Sequence, residues 1–235
     1  YSIYPNDPAY KEISTYKVAN VKIHGPWTNK NQGFGHRVIR DLYLRFATDV
    51  ERDTIRNALT AGTKTRAQIV NELIATDEYR GLDVDRTFTR FLRRSVDPSG
   101  RAYWIDSIKG GKELWRFRAQ LFGSNEYFTK AGGTNTKYLD AVYFDVLGRL
   151  PDPAGRAFWV AKLDAGVDRG SVALQFINTA EFRRFLIDDQ FLRFLDRKAT
   201  ADEQATWLNT LATSPTGEQD LIAFLAGSPA YFNRS

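Results

Sequence analysis

The chain has no cysteine and no methionine, and only two histidines among its 235 residues. Without cysteine there are no disulfides and no thiol chemistry. The missing initiator methionine leads us to expect either a processed mature form or an excised piece of a longer chain, and the sulfur-poor composition is compatible with export. His24 and His36 stand twelve apart, which suits neither an HExxH pair nor a zinc finger, so no metal is expected. No apolar run nears the roughly 20 residues that span a bilayer, so membrane insertion is not expected. There is no Gly-x-Ser-x-Gly elbow and no phosphate-binding loop. Gly33-Phe34-Gly35 is too short for a dinucleotide site.

What is present is a repeat. Four segments carry an arginine, a helix-capping residue three places on and, in three of them, tryptophan seven further: Arg45-Thr48-Ile55, Arg94-Asp97-Trp104, Arg149-Asp152-Trp159 and Arg197-Thr200-Trp207. Each continues to a small hydroxyl residue and an aromatic three later, at Thr76/Tyr79, Ser124/Tyr127, Thr179/Phe182 and Ser228/Tyr231. A period near fifty residues belongs to tandem architectures. Apolar residues six, three and two places before each arginine make one helical stripe (Ile39/Leu42/Tyr43, for example). Thr48-x-x-Glu51 and Thr200-x-x-Glu203 read as capping boxes. Asp97-Pro98 and Asp152-Pro153 read as N-caps followed by proline at the first helical position, which assigns these acids to helix starts. A third helix follows a glycine-containing turn in every segment.

The expected fold is therefore all-α: four tandem three-helix units, at 38–83, 84–133, 134–184 and 185–235. Before them, residues 1–37 read as an extended arm in which Tyr16–Ile23 alternates like a strand. Charge is uneven. Residues 84–133 hold ten basic against five acidic side chains, whereas 134–235 hold eleven against thirteen. Such asymmetry can orient the chain toward an acidic partner or another copy of itself.

The run Gly148-Arg149-Leu150-Pro151-Asp152-Pro153-Ala154-Gly155-Arg156-Ala157-Phe158-Trp159, with Thr179-Ala180-Glu181-Phe182, resembles a bacterial repeat family catalogued only as domain of unknown function 4214. That family looks distantly similar to the helical linker domains of phycobilisomes. The second segment matches through Arg94, Asp97-Pro98, Gly100, Tyr103-Trp104 and Ser124-Asn125-Glu126-Tyr127, so the resemblance spans 84–184 and, with looser agreement, 38–235. It implies a secreted or surface-associated protein with a binding, adhesive or scaffolding role, and it supplies no catalytic residue.

Function is then sought where the segments disagree. Trp115 lies nine before its hydroxyl residue, where the others have Ala67, Gly170 and Gln219; these suggest a position away from the deep core. It is flanked by Arg116 and Arg118, and Phe128 follows nearby. Aromatic residues beside arginines suit protein interfaces and glycan platforms. Tyr1, Tyr4, Tyr10 and Trp27 make the arm a second candidate contact surface. The repeated tryptophans read as core. The expected function is a non-enzymatic extracellular module that contacts other proteins or copies of itself and uses no cofactor. The alternative is a carbohydrate-binding module; a glycosidase using paired carboxylates ranks below it. Nucleic-acid binding has only the basic second segment in its favour and is not expected.

Overall fold

The computed structural model describes residues 29–110 and 114–234. All regular structure among them is helical: α1 (Lys30–Tyr43), α2 (Asp49–Thr60), α3 (Arg66–Ile74), α4 (Asp77–Leu92), α5 (Pro98–Lys109), α6 (Leu114–Gly123), α7 (Asn125–Lys130), α8 (Asn135–Leu147), α9 (Pro153–Asp164), α10 (Arg169–Ile177), α11 (Ala180–Leu195), α12 (Ala201–Thr213), α13 (Gly217–Gly227) and α14 (Pro229–Phe232). The expected strand at 16–23, His24 and arm residues Tyr1, Tyr4, Tyr10 and Trp27 lie outside the described residues. The arm's expected end at residue 37 is corrected. The Asn29 side chain accepts from the Asn31 amide and starts α1, so residues 30–37 are helical. Gly35 is tolerated there because α2 passes close: a Cβ at that position would meet the Ile55 side chain at 3.2 Å.

The capping chemistry is as read. Thr48/Glu51 and Thr200/Glu203 form reciprocal capping boxes. Asp97 accepts from the Gly100 amide at 2.9 Å, and Asp152 from the Gly155 amide at 2.8 Å. One recurring device was not read from the sequence. The residue before each arginine is left-handed, with φ of 55° at Leu44, 51° at Arg93, 69° at Gly148 and 54° at Asp196. Only the third segment has a glycine there, so the other three accept the steric cost of this backbone conformation. The turn delivers the arginine that follows it.

The chain forms two compact units. Among the described residues one comprises 83–185, the second and third segments. The other combines 29–82 with 186–234, the first segment and the fourth. Each has its own core. In 83–185 it includes Phe88, Phe117, Phe122, Tyr138, Val142, Val172 and Phe176. In the discontinuous unit it includes Phe34, Ile39, Val70, Ile187, Phe191, Leu221 and Tyr231. The most extensive helix–helix contact within the first unit is α6 on α10, and within the second α3 on α13; these are the third helices of the paired segments.

Short helices close the second and fourth segments, as α7 and α14. After the first and third, the hydroxyl residue instead opens a 16-residue helix, α4 or α11, that continues into the next segment. Gly132 and Gly133, with φ of 112° and 71°, stop such continuation after α7.

Candidate functional site

The repeated arginine has a partner that the sequence reading did not assign. Arg94 Nε and Nη2 donate to both carboxylate oxygens of Glu126 at 2.7 Å, and Arg149 grips Glu181 in the same way at 2.6 and 3.0 Å. Arg45 binds Glu78 and also Glu51 of its own capping box. Glu78, Glu126 and Glu181 all stand two places after the hydroxyl residue, where the fourth segment has Ala230. Arg197 accordingly takes Glu203 as its carboxylate partner. The fork geometry of guanidinium on carboxylate thus ties the start of a segment to its end, or to its second helix. The guanidinium in turn holds the Glu51 and Glu203 carboxyls well down, at about 2. These arginines are structural clasps.

The aromatic that closes each even segment is equally committed. Tyr127 donates to Asp145 at 2.7 Å, and Tyr231 donates to Asp41 at 2.7 Å. Burial raises both phenols well above their ordinary range, and the adjacent carboxylates push the same way. The repeated tryptophans are half-buried; Trp104 and Trp159 rest on core aromatics, whereas Trp207 lies beside the exposed Phe224. Trp104 lies 4.4 Å from Phe117, Trp159 4.9 Å from Phe176, and Trp207 5.3 Å from Phe224, between ring centroids. Ile55, their counterpart in the first segment, is buried.

Among the residues singled out from sequence, Trp115 is half-buried on α6 and packs against the 83–185 core, with the Arg116 guanidinium 4.5 Å from its ring. Arg118 is half-buried and faces Asp83 at 3.7 Å. Phe128, on α7, lies 6.0 Å from Tyr138 and carries the Arg169 guanidinium 4.2 Å from its ring. Phe232 is covered by Arg66 at 4.5 Å in the matching place of the other unit. Phe128 therefore belongs to the contact between paired segments.

The small residues at the Trp115 position have a tertiary reason. A Cβ on Gly123 would lie 2.7 Å from the Cα of Gly170, and one on Gly227 would lie 2.9 Å from the Cα of Ala67. Ala67 and Gly170 are small because another helix backbone crosses them; the position is half-buried in all four segments, as expected of one away from the deep core.

Sequence reasoning missed the exposed aromatics. Tyr103 is 59% exposed and Phe158 is 55% exposed, at equivalent positions on α5 and α9. Each sits edge-on against its neighbouring tryptophan at 5.1 Å, and Lys162 Nζ lies 4.9 Å from the Phe158 ring. The first and fourth segments have Thr54 and Thr206 there, a comparison that was available in the sequence. A shallow depression of about 280 Å³ lies nearby in sequence, lined by Asn135, Leu163, Gly166, Val167, Asp168 and Arg169. Among the described residues no group of three or more His, Asp or Glu side chains is arranged to hold a metal ion, and no helix is long and apolar enough to cross a membrane.

Residues 119–186 match the family described as domain of unknown function (DUF4214). No curated protein and no solved structure matches the chain. The matched stretch starts within α6 and ends within α11, so it takes in both sides of the α6–α10 contact together with the Arg149–Glu181 clasp.

Proposed function

With residues 119–186 as a DUF4214 segment, we propose that the chain is a non-enzymatic module for protein contact outside the cell, including contact between copies of itself. The observation that carries this reading is the pair Tyr103 and Phe158. Large aromatic rings are held in the open, each braced by a tryptophan, where sibling segments have threonine. Braced aromatic side chains make contact area at little conformational cost, and such residues dominate protein interfaces. The extracellular setting follows from the resemblance of the 84–184 stretch to secreted repeat proteins.

Size-exclusion chromatography with light scattering tests self-contact. Association that rises with concentration and weakens in the Tyr103→Thr/Phe158→Thr variant supports the reading. Those threonines already occupy the equivalent positions of the first and fourth segments, so the helices tolerate them. A strict monomer at every concentration, with no partner retained, overturns it.

A second reading, carbohydrate binding, is favoured by Trp115 under Arg116. Binding on a glycan array that Trp115→Ala abolishes would support it; silence across bacterial and plant polysaccharides would remove it.

A further inference from the structure

The four segments are of two kinds, and the kinds are complementary. Four places before the arginine, the first and third segments have Asp41 and Asp145, and the second and fourth have Arg90 and Arg193. Ten before the hydroxyl residue, the first and third have Arg66 and Arg169, where the others have Leu114 and Glu218. Four after it, the second and fourth have Phe128 and Phe232 against Arg80 and Arg183. One before it, they have Gly123 and Gly227.

Both compact units pair an even segment with an odd one through these positions. In 83–185, Gly123 meets Gly170, Phe128 lies under Arg169, and Tyr127 binds Asp145. In the discontinuous unit, Gly227 meets Ala67, Phe232 lies under Arg66, and Tyr231 binds Asp41. The same seam is thus built twice. The second segment takes as partner the odd segment that follows it. The fourth takes the first.

Every group in that second seam lies in residues 29–82 or 186–234, on either side of the 83–185 unit. Nothing in the contact requires both halves to come from one chain. The seam is also heterologous: the fourth segment's face fits the first segment's, not its own. Joined between molecules, it forms a head-to-tail contact.

The second seam differs from the first in its charge. Arg37 and Arg40 stand where the third segment has Ala141 and Phe144. Arg37 donates to the Tyr231 carbonyl at 2.8 Å, Arg40 pairs with Asp41 at 2.8 Å, and Arg193 donates to the Asp41 carbonyl at 2.8 Å. Arg234 reaches Asp196 and the Phe194 carbonyl in the same unit. Burial, with the neighbouring arginines adding to it, pulls the Arg37 and Arg234 guanidiniums below their ordinary range. Each of these arginines is held by a carbonyl or carboxylate of the seam, and the fourth segment of a second copy can equally supply the contacts that cross it.

We propose that the seam between the first and fourth segments is exchangeable, the fourth segment of one copy seating on the first of the next, so that copies join head to tail. This rests on the self-contact reading above and adds to it a second surface, distinct from Tyr103 and Phe158.

The chain has no cysteine, so introduced thiols report unambiguously. Full-chain Arg66→Cys and Phe232→Cys variants are mixed, unfolded, refolded together at high concentration and treated with a short bis-maleimide. The expected product has twice the chain mass, and the double variant Arg66→Cys/Phe232→Cys gives a ladder of multiples. The Arg169→Cys/Phe128→Cys chain, bridging the other seam, serves as the control and closes only on itself. A mixture with no cross-linked dimer, alongside a double variant that closes only within single chains, overturns the proposal. Light scattering of the unsubstituted chain separates the two levels. Oligomers without the 66–232 product overturn the exchange and leave self-contact through another surface standing. Monomer throughout overturns both.

Discussion

Replacing Gly123 by alanine adds one carbon atom where two helices touch. The new Cβ would stand 2.7 Å from the Gly170 Cα and 2.8 Å from its nitrogen. Both are backbone atoms, so no rotamer change relieves the overlap, and α6 and α10 must part by roughly 1 Å to restore an ordinary contact. The parting is felt by Phe117, Phe122, Val172 and Phe176, which are buried between these helices and their neighbours. Overpacking of this kind costs about 1–3 kcal/mol. The usual helix benefit of alanine over glycine, about 1 kcal/mol in a helix interior, is small at the last residue of α6. Thermal melting followed by circular dichroism at 222 nm should then fall by roughly 4 °C or more for the transition of this unit. Gly170→Ala is the internal control. Its Cβ would meet mainly the side-chain carboxylate of Asp168, which caps α10 through the Ser171 amide, at 3.1 Å, and lies 3.8 Å from Gly123. Alanine also stands at this position in the first segment, as Ala67. That change should shift stability by less than about 0.5 kcal/mol, the range of an uneventful substitution. A Gly123→Ala protein as stable as the parent, or a Gly170→Ala protein destabilised equally, would refute the crossing as described.

Other expectations follow from the same contacts. The carboxyls of Glu51 and Glu203 are depressed to about 2 in the folded chain, from an ordinary value near 4.5. Their contribution to stability is therefore complete above about pH 4.5 and is lost as pH falls toward 2. Urea titrations across that window should show a shallower acid loss in Glu51→Gln than in the parent. Tyr127→Phe leaves the Asp145 carboxylate without its phenol and should cost about 1–3 kcal/mol; a double-mutant cycle with Asp145→Asn checks that the loss belongs to the pair. Arg93→Gly relieves a left-handed backbone at an exposed position and should raise stability by about 0.5–1 kcal/mol in chemical denaturation, the steric relief exceeding the added freedom of the unfolded chain.

Local signals were legible because they act over three or four residues. The capping boxes, the Asp-Pro helix starts and the apolar stripes all specify helices that form where the spacing places them. The segment matched to DUF4214 includes the stretch whose motif is fullest, Gly148 to Trp159. The site was less legible. Trp115 stood out as a departure from its siblings, but the siblings' small residues reflect a backbone crossing, and crossings depend on which helix lies opposite. The Arg–Glu clasps were recoverable in principle, because glutamate recurs two places after the hydroxyl residue in three segments. Their 32- or 33-residue separation, however, gives no local cue that the two ends meet.

By itself, the sequence determined that the described residues are helical, that four segments share one spacing of arginine, cap and hydroxyl residue, and where most helices begin. These follow from periodicity and capping, which are properties of neighbouring residues. The tertiary structure decided the rest. It joined the second segment to the third and the first to the fourth, gave each arginine its carboxylate, and left Tyr103 and Phe158 in the open while their tryptophans turned to the core. Pairing is settled by complementary faces: aspartate facing tyrosine, arginine covering phenylalanine, glycine admitting a backbone. Such complementarity becomes visible only when residues far apart in the chain are seen side by side.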